Sequence, residues 1–336
     1  MTADLVPFPT VVLDRLVALG VDVPRVLRQA GILQSRFQAP RAKLTTREFF
    51  AFWRALEGVA AARDVGLRLG AEALAHQLDV ASQAALHSAT LGEALARIAR
   101  YKRIVCPERV ALDVADGEAR FSFHWVLTDQ RQPLMLVDAA FASVLALARQ
   151  GTGTQLVPRR IELARRRRDE ALLRRHFGCE VQFDAPLDVF VLDEAALHRP
   201  FLTQNADLCA VILRGLEAEL SERSTSGSLT DDVKIVLRGC MSGQRLSVEK
   251  VAGEVRMSPR TLQRRLGEVG TSYQKLLDDV RRHTARRLMV DTDLAAGEIA
   301  FILGFEELNS FSRAFHAWEG VTPSCWRASG QEHREH

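Results

Sequence analysis

At 336 residues the chain exceeds the roughly 250 to 300 that a single hydrophobic core usually organises, so two domains are expected. Hydrophobic residues make up 47% of it, ample for buried cores, and no run of eighteen apolar residues indicates a membrane span. A formal net charge of +3 is below what a nucleic-acid binder usually carries, so charge alone assigns no partner.

Met1–Pro9 has no basic stretch leading into an apolar core, so no secretion signal is expected. The five cysteines, Cys106, Cys179, Cys209, Cys240 and Cys325, are odd in number and scattered, with no C-x-x-C pair. That usage fits a reducing cytoplasm and argues against a disulfide framework or a zinc site.

Pro9–Leu19 and Pro24–Ala30 read as short helices, the second stopped by Gly31. Thr45-Thr46-Arg47-Glu48 is a capping-box start, in which hydroxyl and carboxylate satisfy each other's orphan amides. The helix it opens is expected to run through Gly58 and to carry Phe49, Phe50, Phe52 and Trp53. Further helices are expected at Asp64–Leu78 and from about Ser82 to Tyr101, with a break near Gly92. The period then changes. Arg109–Val114 and Glu118–Leu127 flank Asp116-Gly117, a pair that favours a two-residue hairpin turn. Phe121, Phe123, Trp125 and Leu127 alternate onto one face and Arg120, Ser122 and His124 onto the other.

Pro133 opens an apolar helix, Leu134–Arg149, expected to be buried on most sides. A strand at Arg160–Leu163, a helix at Asp169–Phe177 closed by Gly178, and strands at Glu180–Phe183 and Leu187–Leu192 complete an α+β domain. A long helix from Pro200 to Glu222 aligns Leu208, Ile212, Gly215, Leu216 and Leu220 on one stripe, the candidate dimer seam. Ser221–Ser228, polar and small, reads as a linker.

The most informative stretch runs from Leu246 to Arg327. Leu246, Val248, Val251, Ala252 and Val255 form a short amphipathic helix, linked through Arg256-Met257 to a second that starts at Ser258-Pro259. A serine N-cap followed by proline at the first helical position is a strong start signal. Leu262 and Leu266 then face one way and Arg260, Gln263 and Arg264 another, giving a helix-turn-helix. The plan repeats: Glu298–Leu303 is a short apolar helix stopped by Gly304, Phe305–Leu308 is the turn, and Phe311, Phe315 and Trp318 face inward from the next helix. Asn309, Ser310, Arg313 and His316 face outward. A helix from about Ser272 to Met289 separates the two units, and Thr322-Pro323 starts a last short helix. This stretch holds 12 basic and 11 acidic residues, so the position of its arginines matters more than their sum.

SPRTLQRRL at Ser258–Leu266 and EIAFILGFEELNSFSRAFHAWEGVTPSCWR at Glu298–Arg327 resemble the C-terminal DNA-binding domain of the AraC/XylS family of bacterial transcription regulators, over about a hundred residues. The run IA at Ile299-Ala300, GF at Gly304-Phe305, F-S-R-x-F at Phe311–Phe315 and G-x-x-P at Gly320–Pro323 falls at that family's spacing, and two units, a spacer and the closing Pro-x-x-x-Arg argue against a generic helical bundle. Leu308 departs from its pattern, which often has a polar residue near the start of the second recognition helix. RRHFGC at Arg174–Cys179 and LHRP at Leu197–Pro200 are similar to the so-called arabinose-binding type N-terminal domain of the family's ornithine-regulator-like branch. That resemblance implies effector sensing and dimerisation, not arabinose.

Other features have blander readings. Arg165–Arg168 suits DNA or a partner, but such runs are usually solvated loops or helix starts. Gly151–Thr154 lacks the Gly-Lys-Ser/Thr ending of a phosphate loop and reads as a helix end and turn. His176 and Cys179 have metal-ligand spacing but no second pair nearby. Phe121, Phe123 and Trp125 are the candidate effector pocket, although core packing is the better reading. No nucleophile, base and orienting group occur at recognisable spacing, so neither an enzyme nor a cofactor is expected.

The expected architecture is therefore an α+β effector-binding and dimerisation domain over residues 1–220, a linker at 221–228, and an all-α domain with two helix-turn-helix units over 229–328. Arg260, Gln263, Arg264, Asn309, Ser310 and Arg313 are expected to contact bases. Ser258, Thr271 and Ser272 are expected to grip phosphate, which sets register without reading sequence. The partners are double-stranded DNA, a second copy of the chain, a small-molecule effector and RNA polymerase, in the cytoplasm and without a membrane. The alternative is a constitutive dimeric regulator whose N-terminal domain binds protein and no ligand.

Overall fold

The computed structural model describes residues 4–38, 41–72, 79–125, 128, 130–224, 229–239, 241, 247–255 and 257–332. The chain divides into two compact units. One comprises Met1–Glu162, Asp169–Val181 and Asp188–Ser226; the other comprises Leu163–Arg168, Gln182–Leu187 and Gly227–His336. The last boundary falls within the stretch read as a linker, although Ser221–Ser224 are helical and 225–228 lie outside the described residues.

The first unit starts with an antiparallel pair that the sequence did not disclose, β1 (Val6–Pro9) and β2 (Arg41–Leu44), with Val6 opposite Leu44. Around it stand α1 (Val11–Ala18), α2 (Val23–Ala30) and α3 (Thr46–Val59). The capping box of α3 forms as expected: the Thr45 hydroxyl accepts from the Glu48 amide at 3.2 Å and the Glu48 carboxylate from the Thr45 amide at 2.8 Å. The helix expected at Asp64–Leu78 is described as α4 (Val65–Ala71), and 73–78 lie outside the described residues. The next expected helix is two, α5 (Val80–Leu86) and α6 (Leu91–Val105). The break precedes Gly92, because Thr90 caps α6 by accepting from the Glu93 amide at 3.2 Å.

The hairpin forms as β3 (Glu108–Ala115) and β4 (Glu118–Trp125), with Asp116 and Gly117 at φ 54° and 76°, the positive values its tight turn requires. After α7 (Leu134–Thr152) come β5 (Arg160–Glu162), α8 (Glu170–Phe177), β6 (Glu180–Gln182), β7 (Val189–Asp193) and α9 (Ala206–Ser224). The five strands are ordered β3-β4-β7-β5-β6, and Phe121 on β4 lies opposite Phe190 on β7. Length and composition alone would let α7 cross a membrane, but thirteen of its residues, including Phe141, Leu145 and Ala148, are buried within the protein.

The polar face of β4 is not the solvated face that alternation suggests. Ser122 and His124 are buried and hydrogen-bonded to each other at 3.0 Å. Beside them Arg120 pairs with Glu162 at 2.7 Å and Arg160 with Glu118 at 2.6 Å, so arginine stems and ion pairs cover the strands. The α9 stripe also divides. Leu216 is buried, and with Ile212, Leu213 and Leu220 it packs on Ala81, Ala84, Tyr101 and Ile104 of its own unit. Leu208 and Val211 remain exposed.

The second unit holds α10 (Leu229–Gly239), not anticipated from sequence, then α11 (Val248–Glu254), α12 (Pro259–Glu268), α13 (Tyr273–Asp291), α14 (Ala296–Ile302), α15 (Leu308–Glu319) and α16 (Pro323–Glu332). Their common core includes Val233, Leu237, Val251, Leu262, Leu266, Val280, Leu288, Ile299, Phe311 and Phe315, none of them accessible. Within this unit the Arg165–Arg168 run is only partly solvated: Arg165 is buried and Arg166 pairs with Asp293 at 2.9 Å.

Two features of the first unit set its stability. The first is the approach of α4 to α7: a Cβ on Gly70 would stand 2.1 Å from the Ala139 carbonyl oxygen, and one on Gly66 2.6 Å from that of Met135. The Gly70→Ala variant should lose at least 1–3 kcal/mol through overpacking, read as a lower urea midpoint in the transition that reports this unit. The second is a buried charged cluster: Lys102 pairs with Asp79 at 2.5 Å, and the Cys106 thiol lies 3.7 Å from the Glu108 carboxylate. Burial pushes Glu108 up to about 7 from 4.5, against the pull of Lys102. A carboxyl whose folded-state pKa is raised stabilises the fold fully below its unfolded value, and that contribution is lost as pH rises through the folded value. Stability should therefore fall between about pH 4.5 and 7. The effect is on the order of 3 kcal/mol. Glu108→Gln should flatten that slope in urea titrations across the range.

Candidate nucleic-acid interface

Each helix-turn-helix is built from a cap, a buried stripe and an exposed stripe. Ser247 caps α11 by accepting from the Lys250 amide at 3.3 Å, and Ser258 caps α12 by accepting from the Thr261 amide at 3.2 Å. Val251, Ala252, Leu262 and Leu266 are wholly buried between the two helices and the rest of the core. The opposite side of α12 exposes Arg260, Gln263, Arg264 and Arg265. Leu246 and Arg256, read as part of this unit, lie outside the described residues.

The second unit repeats the construction with other means. Glu298 accepts from the Ala295 amide at 2.6 Å to start α14. Gly304, at φ 72°, ends it and lets the Phe305 amide reach back to the Ala300 carbonyl at 3.0 Å. Arg281 of α13 donates to the Leu303 and Gly304 carbonyls at 2.9 and 3.0 Å, its guanidinium 4.3 Å from the Phe305 ring centroid. On α15, Phe311 and Phe315 are wholly buried, Asn309 and Arg313 exposed and Ser310 half-buried. Arg313 reaches the Ser310 hydroxyl at 3.5 Å, so these two expected base readers stand together.

The spacer α13 locks onto the second unit through Glu319. That carboxylate is 2% exposed, accepts from Arg282 at 2.8 Å and also pairs with Arg286. Burial opposes its ionisation, but the hydrogen bonds from Arg286 and Arg282 outweigh burial and hold it below the usual carboxylate range. Arg286 in turn lies 5.3 Å from the Trp326 ring, and Arg327, the arginine of the closing motif, donates to the Leu294 carbonyl at 2.6 Å.

Of the expected phosphate contacts, Ser258 and Ser272 are exposed caps, each accepting from an amide three residues on; the Ser258 hydroxyl is also hydrogen-bonded to that of Thr261 at 2.8 Å. Thr271 is half-buried and its amide is already committed to the Leu266 carbonyl at 3.0 Å, so only its hydroxyl remains for phosphate. Sequence reasoning missed Glu268, which pairs with Arg264 at 2.6 Å; the i, i+4 spacing is the signal that could have revealed it.

The candidate effector residues lie in the first unit, away from any exposed face. Phe121 packs on Phe123 at 5.3 Å, Phe123 on Phe141 at 6.0 Å, and Trp125 stands 5.3 and 5.1 Å from Phe49 and Phe50. All three are buried, the core reading preferred above. A groove of about 350 Å³ lies elsewhere, between α6 and α9, lined by Glu93, Ala96, Arg97, Arg100, Tyr101 and Glu217. Arg100 is bidentate to Glu217 at 3.0 and 3.1 Å, and Arg97 pairs with Glu93 at 3.2 Å. Among the described residues no three His, Cys, Asp or Glu side chains are grouped to hold a metal.

A sheet-containing domain joined to an all-helical domain with two helix-turn-helix units on one spacer defines a DNA-binding transcription regulator. Comparison with known proteins supports this. The profile of the arabinose-binding N-terminal domain of AraC transcription regulators matches residues 20–201, and a helix-turn-helix domain profile matches 251–329. The chain is similar to the ornithine utilization regulator of Pseudomonas aeruginosa, 27% identical over 97% of each chain. It is also similar to the transcriptional regulator VirS of Mycobacterium tuberculosis, 28% identical over 83% of this chain and 84% of that one. Among solved structures, the transcriptional regulator CdpR of Pseudomonas aeruginosa aligns with 91% of this chain and 96% of its own at 23% identity and a TM-score of 0.45. The chain belongs to the AraC family of transcription regulators.

The Arg264–Glu268 pair generates a test. Arg264→Ala should cost about 1–3 kcal/mol of operator affinity and relax base preference at one position, as loss of a bidentate base contact does. Electrophoretic titration of a selected operator and its single-base variants reads this; equal weakening on every sequence would make Arg264 a phosphate contact instead.

Proposed function

We propose that this protein is a dimeric, cytoplasmic, sequence-specific regulator whose N-terminal unit binds a small-molecule effector and thereby sets the affinity of the C-terminal unit for DNA. The observation that carries the DNA half is the division of α12 and α15 into a wholly buried stripe and an exposed one. Leu262, Leu266, Phe311 and Phe315 hold the helices while Arg260, Gln263, Arg264, Asn309, Ser310 and Arg313 face outward or stand at the helix edge. Arginine and amide side chains are those that bond guanine and adenine edges bidentately. Ser258, Thr271 and Ser272 fix register on the phosphates. RNA polymerase is the partner through which the bound regulator acts on transcription, and the protein itself performs no catalysis.

For the effector, the α6–α9 groove is the better-supported site. Its two carboxylates and two guanidinium groups are paired as Arg100–Glu217 and Arg97–Glu93 beside Tyr101, and a small zwitterion carrying both an ammonium and a carboxylate can exchange with such pairs, its ammonium on the carboxylates and its carboxylate on the arginines. The name of the ornithine utilization regulator points to the same chemical class. For the dimer, burial of Leu216 shifts the candidate seam to the exposed flank of the α9 stripe. There Leu208, Val211, Gly215 and Ala218 are exposed at helical spacing, and a Cβ on Gly215 would meet nothing within 4 Å. A second copy doubles the bases read, and closed two-fold pairing is the commonest assembly. The effector changes DNA affinity only in so far as it binds one arrangement of the protein more tightly than another.

Thermal unfolding of the full-length protein against L-ornithine, putrescine and succinate tests the effector class. A zwitterion present at a hundred times its Kd should stabilise by about 2.7 kcal/mol, and Arg100→Ala should abolish the shift. If no small molecule moves the midpoint, a constitutive regulator with a protein-binding N-terminal unit is the correct reading. In light scattering at tens of micromolar, Val211→Glu should convert a dimer to a monomer; a monomeric parent protein would remove the seam.

A further inference from the structure

Of the large apolar side chains on α12 and α15, one is exposed. Leu308, the first residue of α15, is 47% exposed. It continues the inward stripe of Phe311 and Phe315 by one turn, but those two are at 0%, so the core closes at Phe311 and Leu308 overhangs it. A single exposed leucine is ordinary on a protein surface. What distinguishes this one is its position at the tip of the helix that presents Asn309 and Arg313. In a helix-turn-helix the N-terminal residues of the second helix are the ones that meet base edges.

The neighbours of Leu308 narrow what it can meet. Glu306 and Glu307 immediately precede it and are exposed, and two carboxylates at a helix tip are repelled by phosphates. The tip is therefore unsuited to gripping the backbone, and base edges are its remaining target. Leucine has no donor or acceptor, so it cannot read a base by hydrogen bonding. The apolar feature of the major groove is the C5-methyl group of thymine.

We propose that Leu308 is a specificity-determining residue whose side chain packs against the C5-methyl group of one thymine in the major groove entered by α15. This rests on the DNA-reading role assigned above to the second helix-turn-helix. It adds an apolar reader to the polar set and requires a thymine at one fixed operator position.

The test removes the methyl group from the DNA and the side chain from the protein. Operators are selected from random-sequence duplexes with the full-length protein, and each thymine is then replaced singly by deoxyuridine. Removing one buried methyl group should weaken binding about fourfold at one thymine. Leu308→Ala should bind the parent operator more weakly and show no further loss at that deoxyuridine, whereas Leu308→Met, which keeps an apolar reach, should retain sensitivity. An unchanged thermal midpoint confirms that the variants fold, as an overhanging side chain permits. A selection that enriches no sequence overturns the DNA-reading role and this proposal with it. An enriched operator with no methyl-sensitive thymine, or equal sensitivity in the parent protein and Leu308→Ala, overturns this proposal alone.

Discussion

One buried carboxylate, Glu319, fixes the geometry of the C-terminal unit. It closes α15 at its C-terminal end and is held by two arginines one turn apart on α13. Removing either side of such a pair leaves an uncompensated charge in a poorly solvated place, which is far more costly than the pair itself is favourable. The second recognition helix therefore cannot turn or slide along the spacer without breaking both contacts. Arg281 does the same for the turn before it, through the Leu303 and Gly304 carbonyls. At the other end of α13, Leu276, Leu277 and Val280 share a core with Leu262 and Leu266 of α12. Two reading helices on one rigid body present a fixed spacing to DNA, as recognition of successive major-groove segments requires.

Much of this was legible in the sequence because local chemistry set it. The Ser258-Pro259 start, the Gly304 stop and the phenylalanine spacing of α15 each act within one or two turns, and all appear where expected. The Thr45–Glu48 box and the Asp116-Gly117 turn are equally local. What was not legible depends on long-range partners. The β1–β2 pair joins four-residue strands more than thirty positions apart, too short for any periodicity to show. Glu319 and its partners Arg282 and Arg286 on α13 read as ordinary surface charges until the fold brings them together.

The candidate effector pocket failed to show itself in sequence for a related reason. Alternation identifies the apolar face of β4 but not what covers it, and here α7 and α3 fill it with Phe141, Phe49 and Phe50. The groove, by contrast, is lined by Glu93, Arg97 and Arg100 at helical spacing on α6, and such residues read as a solvated helix face. Only the arrival of Glu217 from α9, more than a hundred positions away, makes them walls of a groove.

The same reasoning explains the weak charge signature of a DNA-binding domain. From Leu246 to Arg327 basic residues outnumber acidic ones by 12 to 11. Of the basic ones, Arg281, Arg282, Arg286 and Arg327 hold carbonyls, carboxylates or rings inside the domain, and Arg264 shares its charge with Glu268. Those five are taken up within the domain, so fewer cations than the 12 counted are placed to displace counterions from phosphate, the displacement on which sequence-independent binding depends. Contacts that discriminate between bases therefore matter more to such a domain than its overall charge.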